Sequence, residues 1–504
     1  METTKNKFAD YISYFFILLF CYAGLSKVMD FENFQVQLAQ SPLLSAYAGI
    51  ISYGVIVTEA LICILLAIPK TRIFGIASSF AIMWAFTVYI ILVLKFSDFI
   101  PCSCGGILEK MGWTEHLIFN FICVFAAGFA TFLSLKRSAA WKKTLKVITY
   151  LTIIPIVGMI GLFLSSEYIM KKENNFTRRF PHHPITEDKS YDLKVNSFYF
   201  VGTDRGNVYV GNPSSPFRIY KLDAQFKKMD TINLNPETGV TFKNLRYTLQ
   251  SKTVFAYDGS VPVIYTVELD SISKPLKVVS RNDIYFDELV PVNKSQYYVR
   301  IEDFASKRLG LAYLSPKENQ KIKISNSVLT KKADGGFDAD GKLLFDQEQS
   351  DAYYLFFYRN QILKINQDLK VTKQMKTIDP FTEANLDIIT LKDGRTKMNK
   401  PSQLVNRNMI VYRGLIFNEA NLMGRHEPKD LWKKNAVVDV YNTSTAEYWG
   451  SFYVPHRGPN KMFQMMMTDD YFYILSGNEI VRYRCAQTLT ENFIQGRSRK
   501  PFKE

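Results

Sequence analysis

Five apolar runs, at about 11–29, 48–68, 73–95, 115–135 and 147–166, constrain this chain more than any other feature. Each approaches the ~20 residues that a helix needs to cross a 30 Å hydrocarbon core. In lipid every backbone polar group must be satisfied within its own segment, so such runs predict helices. The first run lacks a small-residue cleavage site and flows into Leu25-Ser-Lys27, so it reads as a retained span, not a signal peptide. The expected organisation is four spans in 1–140, a fifth tethering span in 141–170, a linker in 171–190, an all-β domain in 191–493 and a basic tail in 494–504.

The net charge of +15 is not gathered into one basic tract, and no nucleic-acid motif accompanies it. Part of it lies in short loops beside the spans, where membrane lipid is the simpler partner. Lys5 and Lys7, Lys70 and Arg72, and the cluster Lys136, Arg137, Lys142, Lys143 and Lys146 mark three cytoplasmic segments. Lys95 and Lys110 are a weaker counter-signal. The loops at 30–47 and 96–114 then face outward, and so does everything after the fifth span. For a bacterial cytoplasmic membrane this places the β domain in the periplasm, where disulfides form and persist.

Six cysteines are too few and too scattered for a disulfide framework. Cys102 and Cys104 form the one close pair, in the outward loop and followed by Gly105-Gly106. A disulfide closed across one residue is a small strained ring, and strain favours exchange over permanence. A static disulfide is the alternative, and metal ligation fits poorly because a zinc site normally needs four ligands. His116, at the start of the fourth span, could favour thiolate formation or simply pack beside Trp113 at the interface. Cys21 and Cys123 both fall roughly 12 Å below the outer surface, counted at 1.5 Å per residue. They could form an internal relay if spans one and four pack together, or be small buried hydrophobes. Cys63 reads as packing, and Cys485 stands alone.

Glu59 is an ionisable residue inside an apolar run, which implies a partner or a function. Lys27 is the obvious partner, although depth counting puts Glu59 deeper, so a direct pair requires snorkelling or a shifted boundary. A protonated, hydrogen-bonded Glu59 is the alternative.

Gly24-Leu-Ser-Lys27-Val-Met-Asp30-Phe-Glu-Asn-Phe34, then Ser41-Pro42-Leu43-Leu44, resembles the first helix and outer loop of the MauE/DoxX redox-associated membrane proteins. Glu59, Phe86-Thr87-Val88-Tyr89, Cys102-Ser-Cys104-Gly-Gly and Trp113-Thr-Glu-His116-Leu-Ile-Phe-Asn120 follow in the same order, over about 8–140. The resemblance implies a four-helix membrane bundle tied to thiol–disulfide metabolism of envelope proteins, as in methylamine dehydrogenase maturation. It invites comparison with helical bundles that pass electrons to quinone. The chain departs from those, having no Cys-x-x-Cys beside a membrane cofactor site and no thioredoxin-like domain. No cofactor is therefore required, and a quinone is the one candidate.

From ~191 to ~493 the pattern is strand, turn, strand. Phe198–Val201 with Val208–Val210, Tyr353–Tyr358 with Ile362–Ile365, and Tyr471–Leu475 with Ile480–Tyr483 are crude copies of one hairpin, with weaker ones near 253–268 and 297–314. At 40–50 residues per blade this predicts a six- or seven-bladed β-propeller, with paired β-sandwiches as the alternative. Asp338-Ala-Asp340-Gly341 lacks the remaining ligands of a calcium loop and reads as a turn, and the His182-His183 pair reads as exposed linker. No catalytic constellation stands out there.

The sequence thus leads to a membrane thiol–disulfide exchange protein in which Cys102 and Cys104 do the chemistry. The propeller would bind an envelope protein client or a thioredoxin-like redox carrier. The competing reading is a non-enzymatic anchor or assembly subunit with a structural cysteine pair.

Overall fold

The computed structural model describes residues 2–41, 44–96, 112–138, 141–181, 183–236, 240–272, 274–303, 307–330, 336–390, 396–398, 400 and 402–494. They form two compact units, one of residues 1–182 with 424–429 and one of 183–423 with 430–504.

The first unit is helical: α1 (Glu2–Met29), α2 (Phe31–Gln40), α3 (Ala48–Ala67), α4 (Arg72–Phe96), α5 (Trp113–Ser138) and α6 (Trp141–Lys172). Five of them, all but α2, are long and apolar enough to cross a membrane. They carry Leu18, Ile50, Phe125 and Ile154 on their outer surface, each more than 60% exposed, as lipid-facing side chains must be. Small residues let neighbours close in. A Cβ on Gly128 of α5 would lie 2.9 Å from the Phe80 ring of α4. The short amphipathic α2 occupies the segment expected to be an outer loop, and buries Phe34 and Leu38 in the core.

The second unit is a six-bladed β-propeller built from four-stranded antiparallel sheets. Five blades follow in chain order at 199–233, 246–281, 288–325, 341–376 and 406–455. The sixth joins Met462–Met467, Tyr471–Ser476 and Glu479–Cys485 to a strand from the far end of the domain, Ile185–Asp192. That strand runs antiparallel to Glu479–Cys485, from Ile185 opposite Cys485 to Asp192 opposite Glu479, and closes the ring. The linker expected at 171–190 is therefore corrected: α6 runs to Lys172, and the closing strand starts at Ile185. Arg178 and Arg179 fall in that stretch. Both are buried, on Glu427 at 2.6 Å and Glu167 at 2.7 Å, within the first unit.

The predicted hairpins lie inside blades. The turn between Tyr199–Asp204 and Asn207–Gly211 places Arg205 (φ 48°) and Gly206 (φ 76°) in the left-handed region that tight hairpins need. Inner strands such as Leu415–Ala420 are buried along their whole length. Outer strands such as Val371–Lys376 are half exposed.

Candidate functional site

The polar centre of the helical unit joins α1 to α3. Lys27 Nζ donates to Glu59 Oε1 at 2.7 Å, with Glu59 only 1% exposed. Depth counting alone argues against this pair, and side-chain direction resolves the conflict. Helical side chains lean toward their own N-terminus. Lys27 therefore leans back along α1, its Nζ 3.5 Å from the Ala23 carbonyl oxygen, and Glu59 leans along α3 to meet it. Phe34 of α2 lies under the ammonium, 5.7 Å from Nζ to the ring centroid. Gly24, a turn before Lys27, leaves room for the carboxylate: its Cβ position lies 3.5 Å from Glu59 Oε2.

This pair borders a cavity of about 390 Å³ lined by α1, α2, α3, α4, α5 and α6. Its walls are apolar and rich in aromatic rings, among them Phe20, Phe34, Phe86, Tyr89, Trp113 and Phe119. Its polar residues are few: Lys27, Glu59, Thr58, His116 and Asn120, beside the amphipathic rings of Tyr89 and Trp113. Two buried atoms among them, Glu59 Oε2 and His116 Nδ1, have no hydrogen-bond partner. His116 stands in the first turn of α5, its ring centroid 6.4 Å from that of Trp113. Asn120, one helical turn further along α5, had no role assigned by sequence. Its i+4 spacing from His116 is the signal that places both on one face.

The cysteines fall in three places. Cys102 and Cys104 lie outside the described residues, in the segment that connects the end of α4 at Phe96 to the start of α5 at Trp113. Cys21 Sγ lies 3.4 Å from Cys63 Sγ, so the close pair within the bundle couples α1 to α3. Cys63, expected from sequence to be a packing residue, packs against the bundle core and also meets the Cys21 thiol. Cys123, the expected relay partner of Cys21, is buried in the core among Phe16, Phe20 and Phe80.

In the propeller, Asp338 and Asp340 face arginines, Asp338 lying 3.7 Å from Arg359 and Asp340 2.9 Å from Arg300. Among the described residues no group of three or more His, Cys, Asp or Glu is arranged to hold a metal ion. Glu419, in the inner strand Leu415–Ala420, is 3% exposed, and burial pushes its carboxyl up to about 7 against the pull of Arg407 and Lys461. A carboxyl raised by folding holds its proton more tightly in the folded state. Its contribution to stability is complete below the ordinary value of 4.5 and is lost as pH rises through about 7. The expected loss is about 3 kcal/mol over that window. Thermal melts of wild type and Glu419→Gln should therefore diverge in slope between these pH values, the variant being the flatter. Parallel melting curves would contradict it.

Residues 5–133 match the family model described as methylamine utilisation protein MauE, which spans about a quarter of the chain. No curated protein matches the chain. Among solved structures, a DUF4221 family member from Bacteroides vulgatus is similar over 60% of this chain and 97% of its own, at 13% identity and a TM-score of 0.39. A protein of unknown function from Bacteroides thetaiotaomicron matches over 60% of this chain and 75% of its own, at 11% identity and a TM-score of 0.35. Regucalcin, a calcium-binding protein from Agrobacterium tumefaciens, matches over 60% and 94%, at 10% identity and a TM-score of 0.33.

Proposed function

We propose that this MauE-like membrane bundle exchanges disulfides with proteins of the cell envelope through Cys102 and Cys104, and that its propeller recruits the client. The observation that carries the reading is the family match over residues 5–133, which takes in the Cys-Ser-Cys segment together with Lys27, Glu59 and His116. The basic loops orient the bundle with its N-terminus in the cytoplasm, so the cysteine segment and the propeller share the periplasm.

In the exchange, a client thiolate attacks one sulfur of the Cys102–Cys104 disulfide and expels the other as a thiolate. The second client thiol then resolves the mixed disulfide, leaving an oxidised client and a reduced pair. The reverse sequence reduces a client disulfide. His116, a short chain distance after the pair, takes up or returns the thiol proton. The partner is an envelope protein or a thioredoxin-like carrier, and a reduced pair must be reoxidised by a further acceptor.

In the reductive direction the one remaining cysteine still attacks a client disulfide as a thiolate and expels one client thiolate, but without its neighbour to resolve it the mixed disulfide accumulates. Cys102→Ser or Cys104→Ser is therefore expected to trap a partner as a band that shifts on non-reducing gels and collapses with dithiothreitol. The double variant should trap nothing. If neither single variant captures a partner, the bundle is an anchor for the propeller and the pair is structural.

A further inference from the structure

We propose that Cys21 of α1 and Cys63 of α3 form a dithiol site, open to the membrane, that binds lipid-soluble trivalent arsenicals. The two sulfurs lie 3.4 Å apart, and both are placed as neutral donors: Cys21 Sγ donates to Cys63 Sγ, and Cys63 Sγ to the Ile17 carbonyl oxygen at 3.8 Å. Cys21 is exposed, on the same helical face as Leu18 and Leu25, which are both more than 60% exposed. On α3 the matching face carries Ala60 and Ala67, small and exposed, about one turn to either side of Cys63. The pair therefore opens on the surface that faces lipid, and its reagent is one that dissolves in a membrane. Neither cysteine belongs to the lining of the cavity.

Geometry and charge choose the ligand class. Bonds of about 2.3 Å, the length of a metal–thiolate bond, drawn from two sulfurs 3.4 Å apart meet at about 95°. That near-right angle is the one a pyramidal trivalent arsenic centre offers to two sulfurs, with its third bond going to carbon. A two-coordinate ion such as Cu(I) holds its sulfurs on opposite sides, about 4.6 Å apart. Zinc needs two further ligands, and among the described residues no group of three or more His, Cys, Asp or Glu is arranged to supply them. Charge points the same way. Two thiolates on a singly charged cation leave a net negative charge within the span, and Lys27, less than two turns along α1, is already engaged by Glu59 at 2.7 Å. An R–As(OH)2 group instead forms two As–S bonds, and its hydroxyls leave as two waters with the two thiol protons. Arsenic stays trivalent, no electron is transferred and no charge is created. The product staples α1 to α3 one turn along α3 from Glu59. This inference goes beyond the exchange reading and does not depend on Cys102 or Cys104.

The test applies phenylarsine oxide to the full-length Cys102→Ser/Cys104→Ser protein, reduced beforehand and held in lipid nanodiscs. With the loop pair removed, the outcome is separate from the fate of the exchange reading. One equivalent of the probe is expected to bind, adding the mass of one phenylarsenic group less two hydrogens. The adduct is expected to resist excess glutathione, a monothiol, and to be released by ethanedithiol. Adding Cys21→Ser or Cys63→Ser leaves one sulfur of the pair, and each is expected to hold the probe at least about a hundredfold more weakly, because the second bond is lost. The bridge joins two helices, so the adduct is also expected to raise the melting temperature of the parent protein and of neither serine variant. Gel filtration establishes that each variant is folded, and the two lie on different helices, so the failure of one leaves the other informative. Parent-like affinity in either serine variant, attachment at Cys123, or the absence of a glutathione-resistant adduct would overturn the assignment.

Discussion

Replacing Lys27 with Met while Glu59 stays in place is expected to destabilise the helical unit by about 3–5 kcal/mol, because a carboxylate is left buried without its cation. Glu59 is 1% exposed, and its contact with Lys27 at 2.7 Å is the ion pair joining α1 to α3 at the cavity. The free Oε2 has no other group to lean on. Breaking a buried pair from one side costs far more than replacing both partners with apolar groups of similar size. Lys27→Met combined with Glu59→Leu should therefore recover most of the loss. Thermal stability in detergent, followed by the monodisperse peak on gel filtration, reads both. Equal damage in the single and double variants would show that the carboxylate left behind is not what the loss of Lys27 costs.

The second large effect concerns closure of the propeller. The strand Ile185–Asp192 supplies the outer edge of a blade whose other strands come some 270 residues later, between Met462 and Cys485. Its removal does more than open a ladder of backbone hydrogen bonds. Arg482, stacked on the Phe226 and Tyr471 rings, donates to Asp188 at 2.6 Å and is 5% exposed, so losing the strand strands a buried guanidinium. A fragment of residues 183–494 is expected to melt in one cooperative transition. A fragment of 193–494 is expected to aggregate, or to melt at least about 15 °C lower. Asp188→Ala within the longer fragment isolates the arginine and should cost about 2–3 kcal/mol. Equal melting of the two fragments would mean that the ring holds without its clasp.

The spans and the propeller class were legible because each rests on a local pattern. A run of twenty apolar residues has few alternatives, and paired aromatic strands around Asp204-Arg-Gly206-Asn207 announce a hairpin. The choice between six and seven blades was not local. Outer strands such as Val371-Thr-Lys-Gln-Met-Lys376 are polar and half exposed, and carry little pattern of their own. The closing strand, Ile-Thr-Glu-Asp-Lys-Ser-Tyr-Asp, is equally polar, and its identity lies in a partner far along the chain. The short α2 was hidden for a related reason, since ten amphipathic residues fall below the length that signals a span.

Within the bundle the sequence named Lys27, Glu59 and His116 but not the way they meet. Axial depth is countable from helix ends, whereas rotation about the helix axis and the lean of side chains are not. That is why Lys27 and Glu59 looked too far apart in depth. It is also why the sequence raises Cys123 as a relay partner for Cys21 without revealing Cys63, whose sulfur lies 3.4 Å from that of Cys21. The cavity could not be read at all, because it is defined by side chains from six helices that share no sequence signature.

The measurement that bears most directly on the proposed function is the redox state of Cys102 and Cys104 in living cells. Free thiols are blocked in intact cells with a maleimide mass tag, in a background where Cys21, Cys63, Cys123 and Cys485 are serine. An exchanging pair is expected to appear as a mixture of doubly tagged and untagged protein, shifting toward the tagged form within minutes of mild reductant and back after its removal. A pair that stays untagged under the same reductant would contradict the exchange function and leave the bundle as an anchor for its propeller.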